Sequence, residues 1–543
     1  MAERAQPVTT GWRRSGSISL LGLGIAVGLL VLALAAIGAL MTAAGAGGGT
    51  AAAGYIRHVT LFTFGQAAAS AGLALALALV TARICWRRAV EWKTGLILAA
   101  SFLPVVMPTT VAATGIIGVW GQRGIVSSAL QGVGLSPLPP VYGLGAVLLA
   151  HVFFNAPLML RVLSGALAGI PAAQWRLAAQ FGLTEWQRFR YIEWPAMRRV
   201  IPGLLALVFL LCFTSFSLIL MLGGGPSVTT LEVSIYTALR FDFDMALAGR
   251  LALLQLAVCG GVVMLLTLVT GRSWGATASR MRPIRQRGDA SLPARLFDAA
   301  MLLVFLMITA TPVLAIVMRG IGPQLMEVLS WTAFWRAALT SLSIAVISGL
   351  VSTGVALLLA TARTRRQSAG LSVWPLDLAV SLYLAVSAIV LGTGMFILLR
   401  QVADLFFLAP ALVLLGNILI ALPFAYRVLE GRLAALSASH DKLCASLGLR
   451  GWQRFRQITL PAIVPELRFS AGLSSALSLG DMTIIALFGS QNFQTLPWLL
   501  YQTMARYRSG EAAALALWLL ILTLVIFLAF TLASRRIGRY RHA

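Results

Sequence analysis

The chain has 543 residues, of which 59% are hydrophobic and only 11% charged. So little polar surface cannot cover an aqueous exterior, which excludes the soluble globular classes and makes a bilayer the solvent. A formal net charge of +25 would suit nucleic acid if it were gathered on one face, but the basic residues are scattered between apolar stretches as topology-setting arginines are, and no nucleic-acid partner is expected.

In chain order, Arg4, Arg13 and Arg14 precede a first apolar run at 18–41. It is too long for the apolar region of a signal peptide and reads as an uncleaved first span. Five more runs follow at 61–81, 94–120, 141–163, 201–222 and 251–270. A basic stretch with Pro283, Gly288 and Pro293 then separates these from six further runs at 299–317, 338–361, 374–399, 409–425, 469–488 and 515–532. The expectation is an all-α integral membrane protein of about twelve transmembrane helices. They form two six-helix halves, at 1–275 and 297–543, joined by a cytoplasmic linker at 276–296.

Lysine and arginine gather on alternate connections: Arg83, Arg87, Arg88 and Lys93; Arg176, Arg188, Arg190, Arg198 and Arg199; the linker arginines; Arg363, Arg365 and Arg366; Arg432, Lys442, Arg450, Arg454 and Arg456; and the tail from Arg535 to Arg541. The other connections are nearly free of them, Arg57, Arg123, Arg240 and Arg319 being the main exceptions, and the positive-inside rule then puts both termini in the cytoplasm of a bacterial inner membrane.

The longest inner connection of each half carries a repeat. Trp186-Gln187-Arg188-Phe189-Arg190 recurs as Trp452-Gln453-Arg454-Phe455-Arg456, each four residues after a glycine (Gly182, Gly448) and five before a proline (Pro195, Pro461). The first copy reads as a short helix over 174–181, a glycine break, and a second helix over 184–192 whose aromatic face carries Trp186, Phe189 and Trp194. One such amphipathic segment could lie flat among lipid headgroups. Two copies with glycine and proline in register read instead as a docking surface used twice, at about 172–198 and 438–464.

Absences bound the chemistry. The only lysines are Lys93 and Lys442, and neither stands in a glycine-rich phosphate-binding loop. Cys85, Cys212, Cys259 and Cys444 and the four histidines have no metal-ligand spacing. The expectation is no catalytic residue, no metal and no cofactor bound by this chain.

The two loops resemble the signature of permease subunits of ATP-binding-cassette importers, which runs roughly Glu-Ala-Ala, three residues, Gly, nine residues, Ile, one residue, Leu-Pro. Gly182, Ile192 and Pro195 match it, as do Gly448, Ile458 and Pro461, whereas Arg176 and Lys442 stand where the glutamate would be. His151 to Leu158, Leu222 to Pro226, and Leu479-Gly480-Asp481-Met482 leading to Gly489-Ser490 resemble the fused-half members that carry thiamine and thiamine pyrophosphate; other fused-half members carry ferric iron or other small solutes. The resemblance implies a type I importer permease fold, two copies of an ATPase subunit that hydrolyses ATP elsewhere, and a periplasmic substrate-binding protein. A secondary transporter, the competing reading, needs several intramembrane acids as coupling-ion sites, and Asp481 stands nearly alone. Ionisable groups within spans are costly, so Asp481, its partner by offset Ser215, and the glycines Gly224 and Gly489 are the candidates for a translocation path or gate.

Overall fold

The computed structural model describes residues 16–45, 52–87, 103–270, 291–400, 405–449, 451–491 and 493–532, and every regular element among them is helical. The linker as far as residue 290, the two tails, Arg88, Lys93 and Arg450 lie outside the described residues. In the first half the elements are α1 (Gly16–Gly45), α2 (Ala52–Arg87), α3 (Thr109–Trp120), α4 (Leu144–Ala168), α5 (Ala172–Gln180), α6 (Ile201–Phe213), α7 (Ser217–Leu222), α8 (Leu231–Arg240) and α9 (Met245–Thr270). The second half has α10 (Leu292–Gly320), α11 (Thr332–Ser368), α12 (Trp374–Ala385), α13 (Ala388–Leu399), α14 (Leu405–Ser446), α15 (Leu460–Gly480), α16 (Thr483–Phe488), α17 (Leu496–Ala505) and α18 (Ser509–Leu532).

Nine helices among the described residues are long and apolar enough to cross a bilayer, and two bent pairs raise that to eleven. The expected third span, 94–120, begins outside the described residues. Four spans that read as continuous are broken. The third has a one-turn helix, Leu103–Val106, before Pro108 starts α3. The ninth divides into α12 and α13 with a bend of 93°, and there Ser387 accepts the Val390 N–H at 3.3 Å to cap α13. The fifth stops at Phe213 and restarts at Ser217, and the eleventh stops at Gly480 and restarts at Thr483. An average of hydropathy over some twenty residues cannot register a gap of two or three, so these breaks are invisible to span counting.

The duplication is structural. The offset of the repeated pentapeptide carries both ends of α7 onto those of α16, and a slightly larger one carries both ends of α3 onto those of α13. The difference is taken up by an extra segment after α3 that includes the helix Ile125–Gly132.

Within each half the second and fourth spans pack along their lengths, α2 on α4 and α11 on α14. The first helices do not stay at home. α1 packs on α9 of its own half and also on α11, α12 and α13 of the other, whereas α10 packs on α18 and also on α2, α3 and α4 of the first half. Two glycines at matching positions receive these visitors. A Cβ on Gly394 of α13 would stand 2.8 Å from the Ala36 carbonyl oxygen of α1, and one on Gly115 of α3 would stand 2.5 Å from the Pro312 carbonyl oxygen of α10. Small residues permit this backbone-to-backbone approach, which is how helices associate where lipid removes the hydrophobic incentive.

Candidate functional site

In the first inner loop, α5 ends in a Schellman cap: the Leu183 N–H donates to the Ala178 carbonyl at 3.0 Å and the Gly182 N–H to Ala179 at 3.2 Å. Gly182 takes the left-handed φ of +60° that this motif demands, and Gly448 takes +68°. The second copy closes its own six-residue turn from Leu449 to the Cys444 carbonyl at 2.9 Å. One difference from the sequence reading is that in the second half the helix entering the turn is no separate piece but the end of the long α14; Pro171, which separates α4 from α5, has no counterpart there.

After the glycine the first copy restarts through a capping box, Thr184 accepting the Gln187 N–H while the Gln187 side chain accepts the Thr184 N–H at 2.9 Å. The expected single helix over 184–192 divides instead. One α turn, Glu185–Arg188, gives way to a π-helical turn, Phe189–Glu193, and the second copy repeats this as Gly451–Arg454 and Phe455–Thr459. π turns are rare and collect at functional positions. Both copies then run into their prolines, Pro195 and Pro461, in the first turn of the next helix.

The side chains match copy for copy. The Trp186 and Phe189 ring centroids lie 5.5 Å apart with the planes tilted, and those of Trp452 and Phe455 lie 5.3 Å apart and stacked. Phe189, Phe455, Arg188 and Arg454 are half-buried, and Arg190 and Arg456 are exposed. Three apolar pairs are exposed at corresponding positions: Leu177 and Leu443 (51% and 53% exposed), Phe181 and Leu447 (76% and 64%), and Trp186 and Trp452 (62% and 68%). Leucine, phenylalanine and tryptophan grouped and exposed on one loop form an apolar patch of the kind that marks contact with a protein partner or a membrane.

The attachments of the two loops differ. The first is pinned to the inner end of α2. There Arg83 bonds the Glu193 carboxylate at 3.1 Å while its guanidinium lies 4.5 Å from the Phe189 ring centroid, Arg87 holds Glu185 at 2.5 Å, and Trp86 packs on Trp175 of α5. The second loop is held by an Arg454–Asp441 ion pair and by Arg432 to Glu466 at 3.2 Å. Asp441 lies one residue before Lys442, the position where the family signature has its glutamate, so the second loop does have an acid pairing into its aromatic segment.

The path candidates fall at the breaks. Asp481 is not a dozen residues deep in a continuous helix; it is the link between α15 and α16. Its carboxylate accepts the Thr483 and Ile484 N–H groups at 3.1 and 3.3 Å, amides that an interrupted helix would otherwise leave unmet in a bilayer. Ser215, its counterpart, caps nothing, and the free end of α6 is met from α2, where the Gln66 side-chain amide donates to the Cys212 carbonyl at 3.1 Å. Gly224, at φ +74°, lies against Tyr142, to whose Cβ a Cβ of its own would come within 2.7 Å. The Gly489 carbonyl accepts from Arg240 across the two halves at 2.9 Å. Sequence reasoning missed Glu232, which is fully buried and bonded by Gln255, itself bonded to Ser387 of the other half at 3.0 Å. Its short amphipathic helix reads as an outer loop.

Residues 75–283 match the sequence family described as binding-protein-dependent transport system inner membrane component. Over its whole length the chain is 38% identical to a thiamine transport system permease protein of Escherichia coli, with 99% of each chain covered. It is 39% identical to the Brucella abortus protein of that description over 93% of each, and 36% to the Haemophilus influenzae one over 87% of this chain and 88% of that one. The chain belongs to the family of binding-protein-dependent permeases. With its apolar helices, that membership makes it a multi-pass inner-membrane subunit of an ATP-binding-cassette transporter.

Proposed function

We propose that this chain is the permease through which thiamine or its phosphates, delivered by a periplasmic binding protein, enter the cytoplasm, driven by two ATPase subunits seated on the loops at 172–198 and 438–464. The observation that carries the substrate is the identity to thiamine permeases at full length in both chains. The observation that favours two ATPase seats is the copy-for-copy exposure of Leu177, Phe181 and Trp186 and of Leu443, Leu447 and Trp452. A coupled exchanger needs no such pair of matching surfaces. Asp481 serves here as the cap that lets the eleventh span be broken, and the breaks in the third, fifth, ninth and eleventh spans are where the path opens, as discontinuous helices do in other carriers.

The test is uptake of labelled thiamine by cells with and without the chain. Accumulation should depend on this chain together with its ATPase, and the purified chain freed of other subunits should hydrolyse no ATP. Equal accumulation in deleted cells, or accumulation of ferric iron instead, overturns the substrate. A second expectation concerns orientation: reporter fusions after Arg287 and Arg541 should read as cytoplasmic and one after Ser227 as external. A cytoplasmic signal at Ser227 would invert the arrangement.

A further inference from the structure

We propose that Arg87 is a positioning residue that clamps the first inner loop to the opposite half of the chain, making the two ATPase seats mechanically unequal. The proposal rests on the docking reading above and concerns what each seat can move.

Arg87 is the last residue of α2. Its guanidinium holds Glu185, which opens the second limb of the first loop, and takes both carboxylate oxygens of Asp298 at 2.9 and 2.8 Å. Asp298 is buried near the start of α10, the helix that crosses from the second half to pack on the first. Its Nη2 reaches both Asp298 oxygens while its Nη1 serves Glu185, so one guanidinium makes charge-assisted bonds to two carboxylates, and holding such a group out of water makes breaking it expensive. One side chain therefore joins the docking loop, the end of the second span and the first helix of the other half.

The second half is held differently. Thr81-Ala82-Arg83 recurs as Thr361-Ala362-Arg363, which sets Arg87 against the uncharged Gln367, and the loop offset sets Glu185 against Gly451. Arg363 turns away from its loop to Asp377 at 2.7 Å and Glu430 at 3.0 Å. Arg454–Asp441 and Arg432–Glu466 likewise stay within the second half. A displacement imposed on the first seat reaches both halves through ion pairs, whereas the ion pairs named at the second seat stay within its own half, which meets the first there through the apolar packing of α1 on α11.

Glu185→Gln and Asp298→Asn each cut one side of the clamp while leaving Arg87 its other partner, so the chain stays folded. Each should lower thiamine uptake per ATP hydrolysed about tenfold, in the usual range of coupling between sites, with the ATPase still co-purifying. The double variant should be no worse than either single, because both break one chain of contacts. Gln367→Ala should change nothing. Losses that multiply in the double variant, or an unchanged uptake-to-hydrolysis ratio, overturn the clamp with docking intact. The variant Trp186→Ala with Trp452→Ala separates the other failure: if it still retains the ATPase, the docking reading falls, and the clamp with it.

Discussion

Valine at both Gly182 and Gly448 is expected to abolish ATP-driven uptake while the protein inserts and accumulates normally. Neither position is crowded: a Cβ at either would meet no atom within 4 Å. The demand is on the backbone alone, since both residues hold a left-handed φ, +60° and +68°, where a side chain costs roughly 1–2 kcal/mol and a β-branched one more. The cheapest relief is to undo the Schellman cap, and that swings the exposed Trp186 or Trp452 limb away from the exposed Phe181 or Leu447. A partner that must touch both limbs at once then loses one. Aspartate, which tolerates the left-handed region better, should lose less uptake than valine, and asparagine less still. The measurement is co-purified ATPase together with uptake in the same cells; wild-type uptake in the double valine variant would mean that the loops only lie on the membrane.

Leucine at Gly115 or Gly394 should be more damaging still, and differently so, removing the folded protein itself. At each site the new side chain would enter the backbone of a helix from the other half, at the Pro312 carbonyl or the Ala36 carbonyl. Backbone cannot rotate aside as a side chain can. Overpacking a core costs typically about 1–3 kcal/mol, and here the interdigitation of two helices is lost along with the local fit. Alanine should be milder at both sites, and the two leucine variants should behave alike because the positions correspond. Full-length protein surviving limited proteolysis at the wild-type rate in Gly115→Leu would show that the crossing of α10 is not needed for assembly.

Much of this was legible in the residues. The pentapeptide repeat, its glycine and its proline foretold two equivalent turns, and the apolar runs foretold the helices α1, α2, α4, α9, α10, α11, α14 and α18, because period and length carry that information locally. What escaped was long-range or brief. Arg83 and Glu193 are 110 residues apart and Arg87 and Asp298 are 211 apart, and no local pattern pairs them. A signal did exist: with 17 acidic residues against 42 basic ones, any acid at the foot of an apolar run, as Asp298 is, has been placed at a cost and wants a named partner. The breaks escaped because Asp481 can be read as a charge in a helix as readily as the cap of the next one.

The exchange of first helices has a consequence for how the protein is made. α1 leaves the ribosome about 300 residues ahead of α11 to α13, which at about 5–20 residues per second is roughly 15–60 s of waiting in lipid. Its buried face is built of Ala26, Ala33, Ala36 and Leu40, small side chains that lipid tolerates while the seat on Gly394 is still unmade. Gly115 likewise stands open until α10 emerges, about 200 residues behind it. A nascent first half thus displays both an arm and the socket for an arm, and two such halves, set face to face, would satisfy each other as a symmetric pair. The finished chain has the anatomy of a homodimer sewn end to end, in which the seam permits each partner only one possible mate.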